Sequence, residues 1–147
     1  MLPRRAAILG LGAYALVLGL IAFWPVPVDR GASLILMRWL GKLHRWGVPT
    51  WFDYGVVEVA SNVLLFIPLG ALIAGILGLR FWWGAVAAGF LVSVLIEFSQ
   101  LVFLPARLAS IADVAANTFG AIIGALAVSL LMARREAVRS RRPPRTL

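Results

Sequence analysis

The sequence predicts an all-α fold: an integral membrane four-helix bundle with a short amphipathic interfacial helix in its first outer loop. The chain is 62% hydrophobic and only 14% charged, which leaves too little polar surface for a soluble domain of 147 residues. Its apolar residues also form four long runs, as expected of a chain whose solvent is lipid. The length allows one domain.

Composition also restricts the chemistry. There is no cysteine and the only histidine is His44, so disulfides and zinc sites built from these residue types are not expected. We predict no metal and no cofactor. Much of the net charge of +8 lies near the chain ends, where it indicates membrane topology and attraction to anionic lipid headgroups rather than nucleic-acid binding.

The first apolar run, residues 6–24, is long enough to cross a bilayer at about 1.5 Å per residue. Arg4 and Arg5 precede it, as basic residues do in a signal sequence. The run ends at Trp24 and Pro25 without a small-residue cleavage site, so it predicts a retained transmembrane helix.

Three further runs predict three more spans. Arg80, flanked by glycine and aromatic residues, predicts a tight turn between the second and third spans, and Pro105 and Arg107 predict the turn before the fourth. Gly120 and Gly124 have the spacing typical of closely packed transmembrane helices. The predicted spans are residues 56–79, 81–104 and 108–133.

The distribution of basic residues predicts the orientation. An even number of spans puts both chain ends on one side, and that side carries nine basic residues against five on the other. Basic residues favour the cytoplasm, so both termini are expected there. The nine are Arg4, Arg5, Arg80, Arg134, Arg135, Arg139, Arg141, Arg142 and Arg145, and the five are Arg30, Arg38, Lys42, Arg45 and Arg107.

The loop at residues 25–55 contains the predicted interfacial helix. Arg38, Lys42 and Arg45 fall on one helical stripe, while the leucines and tryptophans between them cover another arc. This basic stripe suits anionic phosphate groups, although an ordinary interfacial helix without a ligand would show the same pattern. We therefore divide the chain into a membrane domain, residues 1–133, and a basic disordered cytoplasmic tail, residues 134–147.

Three acidic residues, Glu58, Glu97 and Asp113, lie in or near the predicted spans, where ionisable groups are costly and usually functional. Each belongs to a polar stripe on one helical face. These stripes are Glu58 with Asn62, Ser93 with Glu97 and Gln100, and Asp113 with Asn117.

All three stripes fall in the outer part of the bilayer, about 5–15 Å below its outer surface at 1.5 Å per residue. If the stripes face inward, they form one polar cluster open to the outside, with Arg107 at its lip. The alternative is that these side chains only hydrogen-bond one another and hold the helices together.

The same residues resemble the VanZ-like family. The resemblance covers about residues 56–126 in chain order, and it implies a small multi-pass protein of the bacterial cytoplasmic membrane. The family takes its name from a teicoplanin-resistance protein, but no settled biochemical activity comes with the resemblance. The motifs that carry it are Asn62-x-x-x-Phe66-x-Pro68-x-Gly70, Glu97-x-x-Gln100, Arg107 and Asp113-x-x-x-Asn117-x-x-Gly120-x-x-x-Gly124.

We favour a non-enzymatic envelope protein that binds a lipid or lipid-linked cell-wall precursor at its headgroup, with an effect on glycopeptide sensitivity. The predicted binding residues are Glu58, Asn62, Glu97, Gln100, Arg107, Asp113 and Asn117. One alternative is an intramembrane enzyme that uses Glu97 and Asp113 as acid and base, although no serine or cysteine nucleophile stands beside a base. Another is a packing subunit of a larger membrane complex or homo-oligomer.

Overall fold

A computed structural model describes residues 4–23, 30–104 and 110–140. These residues form five α-helices and a short 3-10 turn, with no strand among them, which confirms the all-α prediction. The helices are α1 (Arg4–Ala22), α2 (Arg30–Arg45), α3 (Tyr54–Leu77), α4 (Trp82–Phe103) and α5 (Ile111–Ser140), and the turn is Leu79–Phe81.

Four of these helices, α1, α3, α4 and α5, are long and apolar enough to cross a membrane, as predicted. The end of α1 lies beside the end of α4, because Gln100 donates a hydrogen bond to the carbonyl of Ala22. Since the spans alternate in direction, α1 begins and α5 ends at one face of the bundle, which we name the terminal face. The opposite face carries α2 and is named the α2 face.

Glycines bring α3 and α5 into direct backbone contact. A Cβ atom at Gly120 would clash with the carbonyl of Val63, and one at Gly124 would clash with the carbonyl of Ile67. In lipid, where apolar burial does not drive helix association, this close van der Waals packing is a main source of stability. The predicted role of the two glycines in close packing is confirmed.

The other spans pack around this pair. α4 runs antiparallel to α5, with Gly89 against the side chain of Ala121. α1 packs against α3, where its Leu18 joins a core cluster with Phe66. The hydroxyl of Tyr14 on α1 also donates a 2.6 Å hydrogen bond to the backbone carbonyl of Leu65.

The predicted interfacial helix is present as α2. Its Leu40 is buried, while Arg38, Lys42 and Arg45 are all exposed, so its polar and apolar sides are separated as expected. Beyond it, the ring Nε2 of His44 lies 3.0 Å from the carbonyl of Phe52 and holds the connecting segment against the helix.

The turn predicted at Arg80 is the 3-10 turn. α5 begins at Ile111, after the predicted turn, and then continues without a break to Ser140. Residues 134–140, predicted to begin a disordered tail, are therefore helical. The rest of that tail, residues 141–147, lies outside the described residues.

Candidate functional site

A buried hydrogen bond joins two of the predicted polar stripes. The side-chain amide of Asn117 on α5 donates to the hydroxyl of Ser93 on α4 over 2.9 Å. Ser93 is 0% exposed and Asn117 is 5% exposed. Both stripes therefore face into the bundle, as the sequence predicts.

Glu97 occupies the next turn of α4 towards the α2 face. Its side chain is buried, and its Oε2 accepts a 2.8 Å hydrogen bond from the backbone N–H of Ser110. Ser110 directly precedes α5, so the carboxylate lies at the positive end of that helix, where negative charge is stabilised. Glu97 thus anchors the start of α5 to α4.

Gln100 anchors α1 in a similar way. Its Nε2 donates a 2.9 Å hydrogen bond to the carbonyl of Ala22, the last residue of α1. A carbonyl in the last turn of a helix has no partner within that helix, so this bond satisfies a backbone acceptor in a buried place. It also fixes α1 to α4.

Three further predicted residues, on α3 and α5, lie at about the same depths along the bundle axis as these side chains. α3 and α5 run in the same direction, with Val63 against Gly120 and Gly75 near Val128. This register places Glu58 at about the level of Asp113, and Asn62 at about the level of Asn117. Glu58 is exposed, whereas Asn62 and Asp113 are half-buried.

The site therefore has two tiers near the α2 face. The first tier holds Glu97 and Asp113, with Gln100 about one turn nearer the α2 face, and the second holds Asn62, Asn117 and Ser93. Glu58 shares the level of Asp113, but it is exposed rather than turned into the cluster, unlike the predicted inward stripe. Arg107, predicted at the lip of the cluster, lies in residues 105–109, outside the described residues. Its part in the site stays a prediction.

One atom of the second tier lacks a partner. The Oδ1 of Asn117 is buried and accepts no hydrogen bond from the described residues. A buried amide oxygen without a donor costs about 1–3 kcal/mol. If this side-chain amide were flipped by 180°, its oxygen would pair with the hydroxyl of Ser93, and its nitrogen would lack a partner instead.

The basic stripe of α2 lies on its solvent-accessible side. Arg38, Lys42 and Arg45 line an open depression on this helix together with Trp39. The Nζ of Lys42 lies 4.4 Å from the centre of the Trp39 ring, which is within the range of a cation–π contact. These cations can meet a phosphate group at the membrane surface.

The described polar side chains form a hydrogen-bonding cluster. No group of three or more His, Cys, Asp or Glu residues among the described residues could hold a metal ion. Ser93 is paired with an amide, which is not a base, so it is not an activated nucleophile.

Sequence reasoning identified the polar side chains but missed their backbone partners. Ser93 lies on the predicted stripe of Glu97 but is not among the predicted binding residues, although it pairs with Asn117. The carbonyl of Ala22 and the N–H of Ser110 also belong to the site. A backbone group carries no residue-type signal, so nothing in the sequence pointed to them.

Comparison with known proteins matches the chain to a family model. Neither the curated proteins nor the solved structures gave a match to this chain. The family model VanZ/LLP1 matches residues 11–132, which cover most of α1 and α5, all of α3 and α4, and the polar site described above. With most of its length covered by that model, the chain belongs to the VanZ/LLP1 family of membrane proteins.

Proposed function

We propose that this protein binds the polar headgroup of an envelope lipid or lipid-linked cell-wall precursor, and that the headgroup enters the bundle from the outer leaflet at the α2 face. The observation that carries the proposal is the unpaired Oδ1 of Asn117. A hydroxyl, amine or amide of the headgroup would supply the missing donor.

The charges around the site support a headgroup with two kinds of polar group. The carboxylates of Glu97 and Asp113, with the exposed Glu58 at a similar level, favour hydroxyl and amine donors, as found on sugars and peptides. The exposed basic stripe on α2 favours phosphate. A phosphate-linked sugar or peptide carries both kinds of group, and a protein that holds one could alter glycopeptide sensitivity without destroying the drug.

A second role is favoured by a different observation. Glu97, Gln100 and Asn117 each form a hydrogen bond to another helix, as expected if the cluster serves only to hold the bundle together. The protein would then act as a packing subunit in a membrane complex. In that case the oxygen of Asn117 would be satisfied by a water molecule.

Photocrosslinking separates the two roles. The purified full chain would be reconstituted in phosphatidylcholine vesicles with a diazirine-bearing polyprenyl phosphate sugar, or with a diazirine-bearing phosphatidylcholine as the reference probe. We expect the sugar probe to label α3, α4 and α5 near the α2 face. Asn117→Leu, which removes the polar atoms at similar volume, should lower this labelling at least about fivefold, the loss expected for one hydrogen bond of 1 kcal/mol.

Ser61→Ala is the matched control, because Ser61 is exposed on α3 and its hydroxyl bonds only to its own helix. It should label like the unaltered protein. The binding proposal is wrong if Asn117→Leu keeps both its helicity and full labelling. It is also wrong if the two probes label the protein equally. Either result favours the packing role.

A further inference from the structure

α5 extends beyond the rest of the bundle at the terminal face. α3 ends at Leu77, and its Gly75 lies near Val128 of the parallel α5. α5 goes on to Ser140. By this register about ten residues at the end of α5, or about 15 Å of helix, continue past the end of α3.

The length of α5 places this extension in the headgroup layer. Its apolar part, residues 111–133, is about 34 Å long at 1.5 Å per residue, which already crosses a hydrocarbon core of about 30 Å. Residues 134–140 follow and are all exposed. They contain Arg134, Arg135 and Arg139 against a single acidic residue, Glu136.

Two of these arginines continue the side of α5 that faces the bundle. Val128 packs against the core cluster of Ala74, and Met132 is half-buried. Arg135 and Arg139 follow them by seven residues, or two helical turns, and so point in nearly the same direction. They therefore project beneath the end of the bundle rather than away from it.

The 3-10 turn between α3 and α4 contacts α5, and the register of Gly75 against Val128 puts this turn at the level where the extension begins. Its Arg80 is exposed and is 5.9 Å from the centre of the Phe81 ring. In the part of the chain that the structure describes, neither Arg80 nor the arginines of α5 form an ion pair. Their guanidinium groups thus have no carboxylate partner there.

Apolar side chains accompany the charges. Leu131 and Val138 are 54% and 60% exposed and line an open depression with Arg134, Arg135 and Arg139. The two apolar residues are seven apart and share one stripe, which lies between the arginines. A surface of this kind matches a molecule with a charged head and an apolar body.

We infer that the corner between the Leu79–Phe81 turn and the extension of α5 is a binding site for an anionic phospholipid. Guanidinium groups of Arg80, Arg135 and Arg139 bind the phosphate through paired N–H donors. Leu131 and Val138 contact the glycerol and the upper part of an acyl chain. The site lies on the membrane face opposite the polar cluster and does not depend on the headgroup proposed there.

Lipid selectivity measured by spin-label spectroscopy tests this site. The full chain would be reconstituted in phosphatidylcholine vesicles that contain a trace of spin-labelled phosphatidylglycerol or spin-labelled phosphatidylcholine. The immobilised fraction of each probe gives their relative association with the protein. We expect a preference for phosphatidylglycerol, and Arg135→Gln/Arg139→Gln should reduce it about fivefold or more, since one basic residue near an anionic surface contributes about 1 kcal/mol.

A charge-matched variant shows whether position matters. Arg4→Gln/Arg5→Gln removes two exposed charges from the same face, but from the start of α1 rather than from the corner. It should retain most of the preference. If both double variants lose the preference for phosphatidylglycerol equally, the attraction is a diffuse electrostatic one. If the unaltered protein shows no such preference, its surface is not selective. Either result would overturn the inference.

Discussion

The carboxylate of Glu97 on α4 accepts a 2.8 Å hydrogen bond from the backbone N–H of Ser110, the residue immediately before α5. The first N–H groups of a helix have no acceptor within it and carry partial positive charge. Glu97 therefore satisfies a backbone donor and opposes that charge with its own. A residue that the sequence marks as a ligand-binding group is also a structural link between two spans.

Glu97→Gln separates these two contributions. The amide keeps an acceptor oxygen for Ser110 but loses the negative charge, so we expect folded protein with about 0.3–1 kcal/mol less stability. Glu97→Leu leaves the N–H of Ser110 unpaired and should cost about 1–3 kcal/mol. Unfolding of the purified variants in increasing sodium dodecyl sulfate, followed by circular dichroism, measures both changes. Equal losses would mean that the charge, and not the hydrogen bond, holds α5 in place.

The close contacts at the glycines predict that an added methyl group destabilises the bundle at a packed position but not at an open one. Gly124→Ala would place a methyl group against the carbonyl of Ile67, and such overpacking costs about 1–3 kcal/mol. Gly12→Ala on α1 is the control, because a Cβ there meets nothing within 4 Å. The first variant should melt at a lower temperature and the second should be unchanged or slightly more stable. Similar melting temperatures would contradict the close approach of α3 and α5.

The hydrogen bond from Gln100 to the carbonyl of Ala22 is expected to hold the end of α1 against α4. Gln100→Leu should leave that carbonyl without its donor and loosen the last turn of α1, with a stability loss of about 1 kcal/mol. Hydrogen–deuterium exchange in the peptide that ends at Phe23 should rise, while exchange in the centre of α3 should not. Uniform change throughout the bundle would mean that Gln100 supports the whole fold instead.

Helical periodicity was sufficient to predict the spans and the inward stripes of α4 and α5, whereas Glu58 of the α3 stripe is exposed. Residue spacing alone predicts that Glu97 and Gln100 on one span lie at a similar depth to Asn117 on another, and all three are buried. Periodicity works here because a spanning helix satisfies its own backbone hydrogen bonds in lipid and rises about 1.5 Å per residue, so the residue count converts directly into depth.

The features that the sequence could not predict depend on contacts between different segments of the chain rather than on residue spacing within one helix. Whether Glu97 faces a ligand or the N–H of Ser110 is decided by where the start of α5 lies relative to α4. The continuation of α5 past Ala133 was missed because a basic segment suits both a helix and a disordered tail. The role of Arg107 stays a prediction because that residue lies outside the described residues.

The orientation of the bundle underlies both proposals, and thiol labelling can determine it because the chain contains no cysteine. Trp46, just after α2, and Ser140, at the end of α5, are both exposed, and replacing either leaves the basic residues that set the topology intact. We expect a membrane-impermeant maleimide added to sealed cells to label Trp46→Cys at once, and Ser140→Cys only after permeabilisation. The reverse pattern would place the polar cluster at the cytoplasmic leaflet, where a headgroup could not enter from outside, and would move the arginine corner to the outer surface. Labelling of both positions in sealed cells would require an odd number of spans and would contradict the four-span fold itself.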